Sequence, residues 1–458
     1  MIFMTEILPR PARRRLSGST WALMALMTLQ GGGAFGTELT LPESHSSRLA
    51  LKASVLQAIV FSAQLRGAQA QVSAAESELQ LVQSQRLPQV QLRGQSRAKD
   101  LGGGLAPLDG AGQSLGVDVV TNLFDWGRLE YAADGQREEL EVARAHASTA
   151  LQELAYEVVV TQLELGRQQM LVRLGERYRR SMQGRVTLLE SVVAVDAGRA
   201  SELLQASTRL MQADEWLDSA RARVDEALLA LQRLTGQGVD DIYEQVPMSI
   251  ASVPLQQLLV RVEEHPQLAA VQAQARSEQA RGLSIEAASK PRLDWEIGKS
   301  TYETQHGLQQ PWHTRLTLSW TAFDGGASKA ARSAALYRSL AAQEGAEELR
   351  RQLFHQVRLA DQKTLTAIQR EQRYRQLGEQ SAQIKQAFFE QWYHLGQRTL
   401  LDVLGADSEH FGHLSSEVSS RFDGYVAVVQ GLQGAGALLP WLDGALDSTD
   451  ERIGPPVL

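Results

Sequence analysis

The chain has 458 residues, a formal net charge of −7 and no cysteine. This length allows two or three ordinary domains, and the mild acidity argues against a large nucleic-acid interface. The lack of cysteine excludes disulfides, thiolate metal sites, cysteine nucleophiles and a lipid-modified N-terminal cysteine.

The N-terminus has the layout of a secretory signal peptide. Three arginines at 13–15 precede a short apolar segment at 21–27, and small residues follow it. A basic, an apolar and a small-residue region in this order are typical of a signal that is removed after export. We therefore expect residues 1–36 to be a signal peptide, and a buried N-terminal helix is the alternative. None of the later segments has the roughly 20 apolar residues of a membrane-spanning helix.

Two long stretches without proline predict very long helices. They run from Leu108 to Val246 and from Trp312 to Leu439, and proline inside a helix removes a hydrogen bond and clashes with the preceding turn. The longest predicted helix has about 70 residues and would extend for about 100 Å. Two shorter helices are expected to stack end to end beside each long one. The predicted helices lie at about 48–86, 127–197, 200–235, 266–289, 327–395 and 399–438.

A regular heptad in the third of these helices favours coiled-coil packing. Leucine or valine recurs every seven residues, with alanine three positions later in each heptad. A leucine row beside an alanine row on one face is typical of a coiled-coil interface, and an ordinary helical-bundle core is the alternative. The first row consists of Leu203, Leu210, Leu217, Val224 and Leu231, and the second of Ala206, Ala213, Ala220 and Ala227.

Four short segments alternate between apolar and polar residues and are predicted as strands, at about 87–97, 114–124, 291–302 and 313–323. Such alternation gives a strand one apolar and one polar face, and about ten residues suit a tilted transmembrane strand. Tryptophans in or beside these segments fit an interfacial aromatic girdle. A soluble four-stranded sheet packed on the helices is the alternative. Because four strands cannot close a barrel in lipid, the membrane interpretation requires oligomerisation.

The two halves of the chain look like copies of each other. Three landmarks of the first half recur about 200 residues later; they are the pairs Pro88 and Pro291, Phe124 and Phe323, and Gly198 and Gly396. A repeat of this kind defines the domain organisation. We predict a first repeat at 37–240, a linker at 241–264, a second repeat at 265–440 and a disordered tail at 441–458.

These features together resemble the TolC-like outer-membrane efflux protein family. The most specific motifs are Phe-Asp-Trp-Gly at 124–127 and Phe-Asp-Gly-Gly at 323–326, each at the exit of a predicted strand. The glycine turns at 198 and 396, each followed by a Leu-Leu motif, and Leu-Thr-Gly at 234–236 match as well. The resemblance extends over about residues 48–439.

The resemblance implies a mainly α-helical fold with a transmembrane β part. Three subunits, each with four strands, would form a 12-stranded β-barrel in the outer membrane and a long α-helical barrel through the periplasm. The homotrimer would be the exit duct of a tripartite export system, for drug efflux or type I secretion. Its partners would be outer-membrane lipid, a periplasmic adaptor protein and an inner-membrane ABC or proton-driven pump.

The resemblance also implies site residues at the two glycine turns, which correspond to the periplasmic tips that adaptors bind. These residues are Gly198, Ser201, Gly396 and Thr399. Glycine tolerates a positive φ at a helix end, and a hydroxyl can cap the next helix. The alternative is a structural turn without a partner.

The resemblance further implies a pore gate, because Arg398 and Asp402 match the positions of the gate residues in the TolC-like family. A ring of carboxylates from three subunits would bind cations at a constriction, and a solvated helix carboxylate is the alternative for Asp402. The sequence departs from the family pattern at Gly405, which replaces a second pore aspartate, and at Leu204, which replaces the acidic partner of the arginine. Glu202 is a candidate substitute for that partner.

No catalytic residue, cofactor site or metal site is predicted, so an enzyme on a helical scaffold has no support. His410 and His413 share one helical face but lack an indicated third ligand. The second functional hypothesis is a periplasmic coiled-coil adaptor that links pump and channel. Adaptors usually carry one helical hairpin that is separate from their β-domains. The four predicted strands of this chain, in two matched pairs, argue against that organisation.

Overall fold

The computed structural model describes residues 43–95, 114–236, 249–304, 307–444 and 446. The signal peptide predicted at 1–36 lies outside these residues. The helices are α1 (Glu43–Phe61), α2 (Ala63–Ser84), α3 (Arg128–Val193), α4 (Ala200–Thr235), α5 (Leu255–Arg261), α6 (Pro266–Ala288), α7 (Ala327–Tyr393), α8 (Leu400–Gly434) and α9 (Leu438–Leu442). The strands are β1 (Gln89–Gln95), β2 (Ser114–Phe124), β3 (Arg292–Thr304), β4 (Gly307–Gln309) and β5 (Trp312–Ser319).

The two longest helices, α3 with 66 residues and α7 with 67, each pack against several shorter ones. In the first half, Glu76 of α2 pairs with Arg144 near the start of α3 at 3.0 Å, and Arg221 of α4 pairs with Glu176 further along at 3.0 Å. In the second half, α6 and α8 lie against α7 in the same way. The helices in the described ranges all lack the combination of length and apolar character needed to cross a bilayer.

The heptad of α4 packs through its alanine row. Ala206, Ala213 and Ala220 are each 1% exposed, whereas Leu203 and Leu210 are only partly buried. Small side chains let the backbones of α3 and α4 approach closely, and the leucine row becomes fully buried further along, at Leu217 with 2% and Leu231 with 0% exposure.

The helix predicted at 48–86 is interrupted, which corrects that prediction. Ser62 has φ −62° and ψ 116°, an extended conformation, and its side chain accepts a hydrogen bond from the backbone N–H of Leu65 at 3.2 Å. Arg66 donates to the carbonyls of Val60 and Phe61 at 3.2 and 3.0 Å. These bonds satisfy backbone groups at the end of α1 and the start of α2, so that the break costs little.

The predicted linker and tail are also partly structured. Within the linker at 241–264, α5 is ordered and packed, with Leu258 at 6% exposure and Val262 at 0%. The tail predicted to be disordered begins with Trp441 and Leu442 at 6% and 4% exposure. Because these apolar side chains join the main hydrophobic core, the first residues of the tail fold against the helices.

The strands form one antiparallel sheet in which β1 pairs with β2, β2 with β3, and β3 with β5, while β4 extends the end of β3. One row of the register runs through Gln91, Asp118, Gly298 and His313. Within the described residues, β1 and β5 therefore form the two edges of the four-strand part of the sheet.

The Phe-Asp-Trp-Gly and Phe-Asp-Gly-Gly motifs build the same junction between strand and long helix. Asp125 accepts hydrogen bonds from the N–H groups of Gly127 and Leu129, both at 3.1 Å. Asp324 does the same for Gly326 and Ser328, at 2.9 and 2.7 Å. A carboxylate at a helix N-terminus satisfies free N–H groups and interacts favourably with the helix dipole.

Both junctions also need two successive residues with positive φ. They are Trp126 at 59° and Gly127 at 80°, and Gly325 at 70° and Gly326 at 90°. Trp126 adopts this costly conformation while its Nε1 donates to the carbonyl of Pro291 at 2.8 Å. The two copies thus share geometry as well as sequence.

Candidate functional site

One face of the sheet is mainly polar and the other is mainly apolar. In-register residues on neighbouring strands project to the same side, so the pairing defines each face. The polar face carries Gln89, Gln91, Arg93, Asp118, Asn122, Asp294, Glu296, His313, Arg315 and Thr317. The apolar face carries Val90, Leu92, Val117, Val119, Trp295, Ile297, Trp312, Leu316 and Leu318.

The apolar face is exposed to solvent in a single chain. Leu92 is 78% exposed, Leu318 is 71% exposed and Trp312 is 70% exposed. Contiguous apolar patches of this kind mark surfaces that contact protein or lipid. This face therefore does not pack on the helices, as the alternative of a helix-packed sheet required.

The second glycine turn has the predicted capping geometry. Gly396 has a φ of 63°, and the Thr399 hydroxyl accepts a hydrogen bond from the N–H of Asp402 at 3.3 Å. Asp402 in turn accepts bonds from the hydroxyl and the N–H of Thr399 at 2.9 and 3.1 Å. These bonds lower the pKa of the Asp402 carboxyl below its ordinary value, so that it is ionised at neutral pH.

The Arg398 side chain reaches back to α7. Its guanidinium lies 4.1 Å from the ring centroid of Phe388, and its Nε donates to Gln391 at 3.2 Å. The proposed gate residues, Arg398 and Asp402, therefore lie on the same exposed turn. Arg398 contacts side chains of α7, whereas Asp402 is hydrogen-bonded to Thr399.

The first glycine turn differs from the prediction. Gly198 lies in a single 3-10 turn (Ala197–Arg199) without a positive φ, and its N–H donates to Asp196 at 3.0 Å. Ser201 lies within the first turn of α4, and the helix has no side-chain hydrogen bond at its N-cap, Arg199. The hydroxyl cap expected from Ser201 is wrong because Asp196 caps the preceding 3-10 turn instead.

Glu202 has a partner within its own turn. Arg199 donates to both of its carboxylate oxygens, at 3.1 and 2.7 Å, and lies over the Trp392 ring at 5.3 Å. The salt bridge places Glu202 in the first tip, where it is engaged locally rather than with Arg398.

A buried ionic cluster near the tips was missed by the sequence analysis. The Asp407 side chain on α8 is 0% exposed and lies 3.0 Å from Nζ of Lys385 on α7 and 3.3 Å from Nε of Arg185 on α3. Arg185 also stacks on Phe389 at 3.8 Å. The available sequence signal was Asp407 itself, a carboxylate between apolar heptad positions of α8, which indicates a buried charge that needs a partner. The cluster connects the α3/α4 pair to the α7/α8 pair.

The two histidines on α8 have separate partners. His410 Nδ1 lies 2.9 Å from the Ser381 hydroxyl, and burial lowers the pKa of His410. His413 Nε2 lies 3.6 Å from Glu409.

Comparison with known proteins decides the family. The model of the outer membrane efflux protein family matches residues 55–237 and 257–421. The chain belongs to this family. The resemblance inferred from the motifs is confirmed, and the chain is an outer-membrane efflux protein. No curated protein is similar enough to this sequence to match it.

Solved structures of bacterial outer-membrane proteins have the same fold as this chain. VceC from Vibrio cholerae has a TM-score of 0.74 at 17% identity and covers 84% of this chain and 96% of its own. The open-state MtrE channel of Neisseria gonorrhoeae has a TM-score of 0.72 at 15% identity, with coverages of 90% and 96%. The CmeC channel of Campylobacter jejuni has a TM-score of 0.71 at 16% identity, with coverages of 92% and 94%. The predicted fold class is confirmed: a mainly helical, duplicated chain with a small sheet that belongs to this channel fold.

Proposed function

We propose that three copies of this outer-membrane efflux protein form the exit duct of a tripartite export system. The strands form a 12-stranded β-barrel in the outer membrane, and the helices form a hollow conduit through the periplasm. The observation that carries this proposal is the amphipathic sheet, whose apolar face is exposed and whose two edge strands have no further strand partner among the described residues.

The direction of the edge strands supports closure between subunits. Each neighbouring pair in the order β1, β2, β3, β5 is antiparallel, so β1 and β5 run in opposite directions. When β5 of one copy meets β1 of the next, the new pair is also antiparallel. Closing the ring satisfies the backbone groups that lipid would leave without hydrogen bonds, each at a cost of several kcal/mol.

Disulfide trapping tests this arrangement, because the chain has no natural cysteine. Gln91→Cys on β1 is combined in turn with cysteine at Arg315, Thr317 or Ser319 on β5. We expect at least one pair to give a covalent ladder on non-reducing gels of outer-membrane fractions. The ladder should end at the trimer because the ring closes there.

The single variant Gln91→Cys is the control and should stay monomeric on denaturing gels. A ladder that continues past the trimer would contradict the proposed ring. Absence of cross-links in every pair, with the protein in the soluble periplasm, would instead support the adaptor hypothesis.

At the other end, we propose that the two helical tips contact a periplasmic adaptor. The residues are Gly198 and Ser201 at the first tip, and Gly396 and Thr399 at the second. Both tips end in exposed turns on helix hairpins, which suits docking of a partner's helices. An inner-membrane ABC or proton-driven pump supplies the energy and selects the cargo, either small molecules or unfolded proteins.

Asp402 and Arg398 are proposed as the pore gate. Replacing Asp402 with alanine is expected to raise the concentration of divalent cation that half-blocks conductance by about tenfold, because three ionised carboxylates are lost from one ring. Single-channel recording in planar bilayers measures this. Asp218→Ala, which removes an exposed α4 carboxylate, is the matched control. If both variants keep wild-type block, Asp402 does not line the pore.

A further inference from the structure

Three side chains of types that can bind a metal ion converge on the polar face of the sheet, outside the proposed gate and tips. They are Asp118 on β2, Glu296 on β3 and His313 on β5, and their ligand atoms all lie within 4.8 Å of one another. Asp118 and His313 flank Gly298 in one row of the register, and Glu296 lies two residues away on the same face of β3.

The spacing fits a small tetrahedral coordination shell. His313 Nε2 lies 3.4 Å from Asp118 Oδ1 and 3.8 Å from Glu296 Oε1. Ligands at about 2.1 Å from a tetrahedral ion are about 3.4 Å apart. These two distances match such a shell, and the ligand oxygens of Asp118 and Glu296, which lie within 4.8 Å of each other, would move closer on binding.

The neighbouring arginines contact the outer oxygens of the two carboxylates. Arg93 Nη1 lies 3.7 Å from Asp118 Oδ2, and Arg315 Nε lies 3.7 Å from Glu296 Oε2. The inner oxygens, Oδ1 and Oε1, face His313. This arrangement orients the carboxylates in the way that outer-shell partners orient metal ligands.

Two features indicate that the cluster is a built site. A Cβ on Gly298 would lie 2.2 Å from Asp118 Oδ1 and 2.6 Å from His313 Cε1, so glycine makes room for both ligands. The Asp118 side chain is only 7% exposed. In the described part of the chain, its nearest charged or ionisable partners are His313 and Arg93, at 3.4 and 3.7 Å. The nearly buried Asp118 carboxylate therefore faces the other two members of the cluster rather than bulk solvent.

We propose that Asp118, Glu296 and His313 bind one divalent transition-metal cation per subunit, with Zn²⁺ as the best-fitting ion. One imidazole nitrogen, two carboxylate oxygens and a water complete a tetrahedral shell that Zn²⁺ accepts, whereas Mg²⁺ and Ca²⁺ take oxygen ligands. The ligands all come from one chain, so binding does not depend on the proposed trimer. That the site faces the lumen of the duct does rest on the proposed function.

The test uses full-length protein purified in detergent and treated with a chelator. Co²⁺ titration followed by visible absorption, and Zn²⁺ competition with a chromogenic chelator, are expected to give one ion per chain with a tetrahedral Co²⁺ spectrum. His313→Gln should lower the affinity for the metal ion at least tenfold, because even the loss of an outer-shell partner lowers metal affinity by about 10–100-fold. Gly298→Ala should lower it as well, although it removes no ligand.

His413→Gln is the matched control, because His413 also faces a carboxylate but lies on α8. It should bind one ion with wild-type affinity. Circular dichroism and gel migration show whether each variant is folded. If His313→Gln does not fold, the wild-type protein decides: without a tetrahedral Co²⁺ spectrum at one ion per chain, the proposal is wrong. Unchanged affinity in a folded His313→Gln variant would overturn it equally.

Discussion

Leu316→Arg is expected to abolish assembly of the protein in the outer membrane. Leu316 lies in the middle of β5 on the apolar face and is 65% exposed. An arginine facing lipid near the bilayer midplane costs about 2–4 kcal/mol, and a trimer would carry this cost in each of its three copies. The measurement is the amount of heat-modifiable trimer in carbonate-washed outer-membrane fractions.

Thr317→Arg is the matched control for this prediction. Thr317 is the next residue of β5 and lies on the polar face, paired with Asp294. A cation there lies beside a carboxylate, so the trimer should form at nearly the wild-type level. Equal amounts of trimer from both variants would show that the apolar face does not contact lipid.

Asp407→Ala is expected to loosen the helical tips. The variant leaves Arg185 and Lys385 facing each other without the carboxylate that lies between them. Removing one partner of a buried ionic cluster costs about 3–5 kcal/mol. Local opening of α8 should become easier by a similar amount, so its backbone amides near Asp407 should exchange with solvent about 100-fold to several thousand-fold faster. Hydrogen exchange with mass spectrometry measures this change.

Asp423→Ala provides the comparison. Asp423 is also an α8 carboxylate paired with an α3 arginine, since it lies 3.2 Å from Arg167, but its side chain is 58% exposed. Exposed ion pairs contribute only about 0–1 kcal/mol, so exchange should change by less than tenfold. If Asp407→Ala exchanges no faster than Asp423→Ala, the buried cluster does not hold the tips together.

The sequence predicts the local elements of this fold well because their signals are local. The absence of proline indicates α3 and α7, and the alternation of apolar and polar residues indicates the four main strands. The second glycine turn follows from Gly396 and Thr399 alone, since a positive φ and a hydroxyl cap are properties of single residues. The break at Ser62 is local too, but one serine in a helical pattern is a weak signal.

The ionic cluster and the metal-binding cluster are not local. Asp118 is far from Glu296 and His313 in the sequence, and only the register of β2, β3 and β5 brings the three together. Likewise, the partners of Asp407 come from two other helices. A search for metal-ligating residues that are close in sequence instead finds His410 and His413, which have separate partners. Sites made by long-range pairing therefore need the structure.

The first tip shows a different limit. Gly198 and Gly396 correspond in the repeat, yet only Gly396 has a positive φ. Asp196 accepts a hydrogen bond from Gly198 and supports a 3-10 turn. The neighbouring side chains therefore determine whether the hairpin closes with a 3-10 turn or with a positive-φ glycine. Repeat symmetry predicts where each turn lies, but not its conformation.

The exposed apolar face has a consequence for biogenesis. In the proposed trimer, a newly made subunit carries this surface in water until two further copies bind it, and self-association through it competes with correct assembly. This time lengthens as subunits become scarce, because the proposed ring needs three of them. Cells that make this protein at low abundance are therefore expected to need a holdase that shields β1 and β5 during transit, and overproduction without that escort should yield aggregates rather than additional ducts.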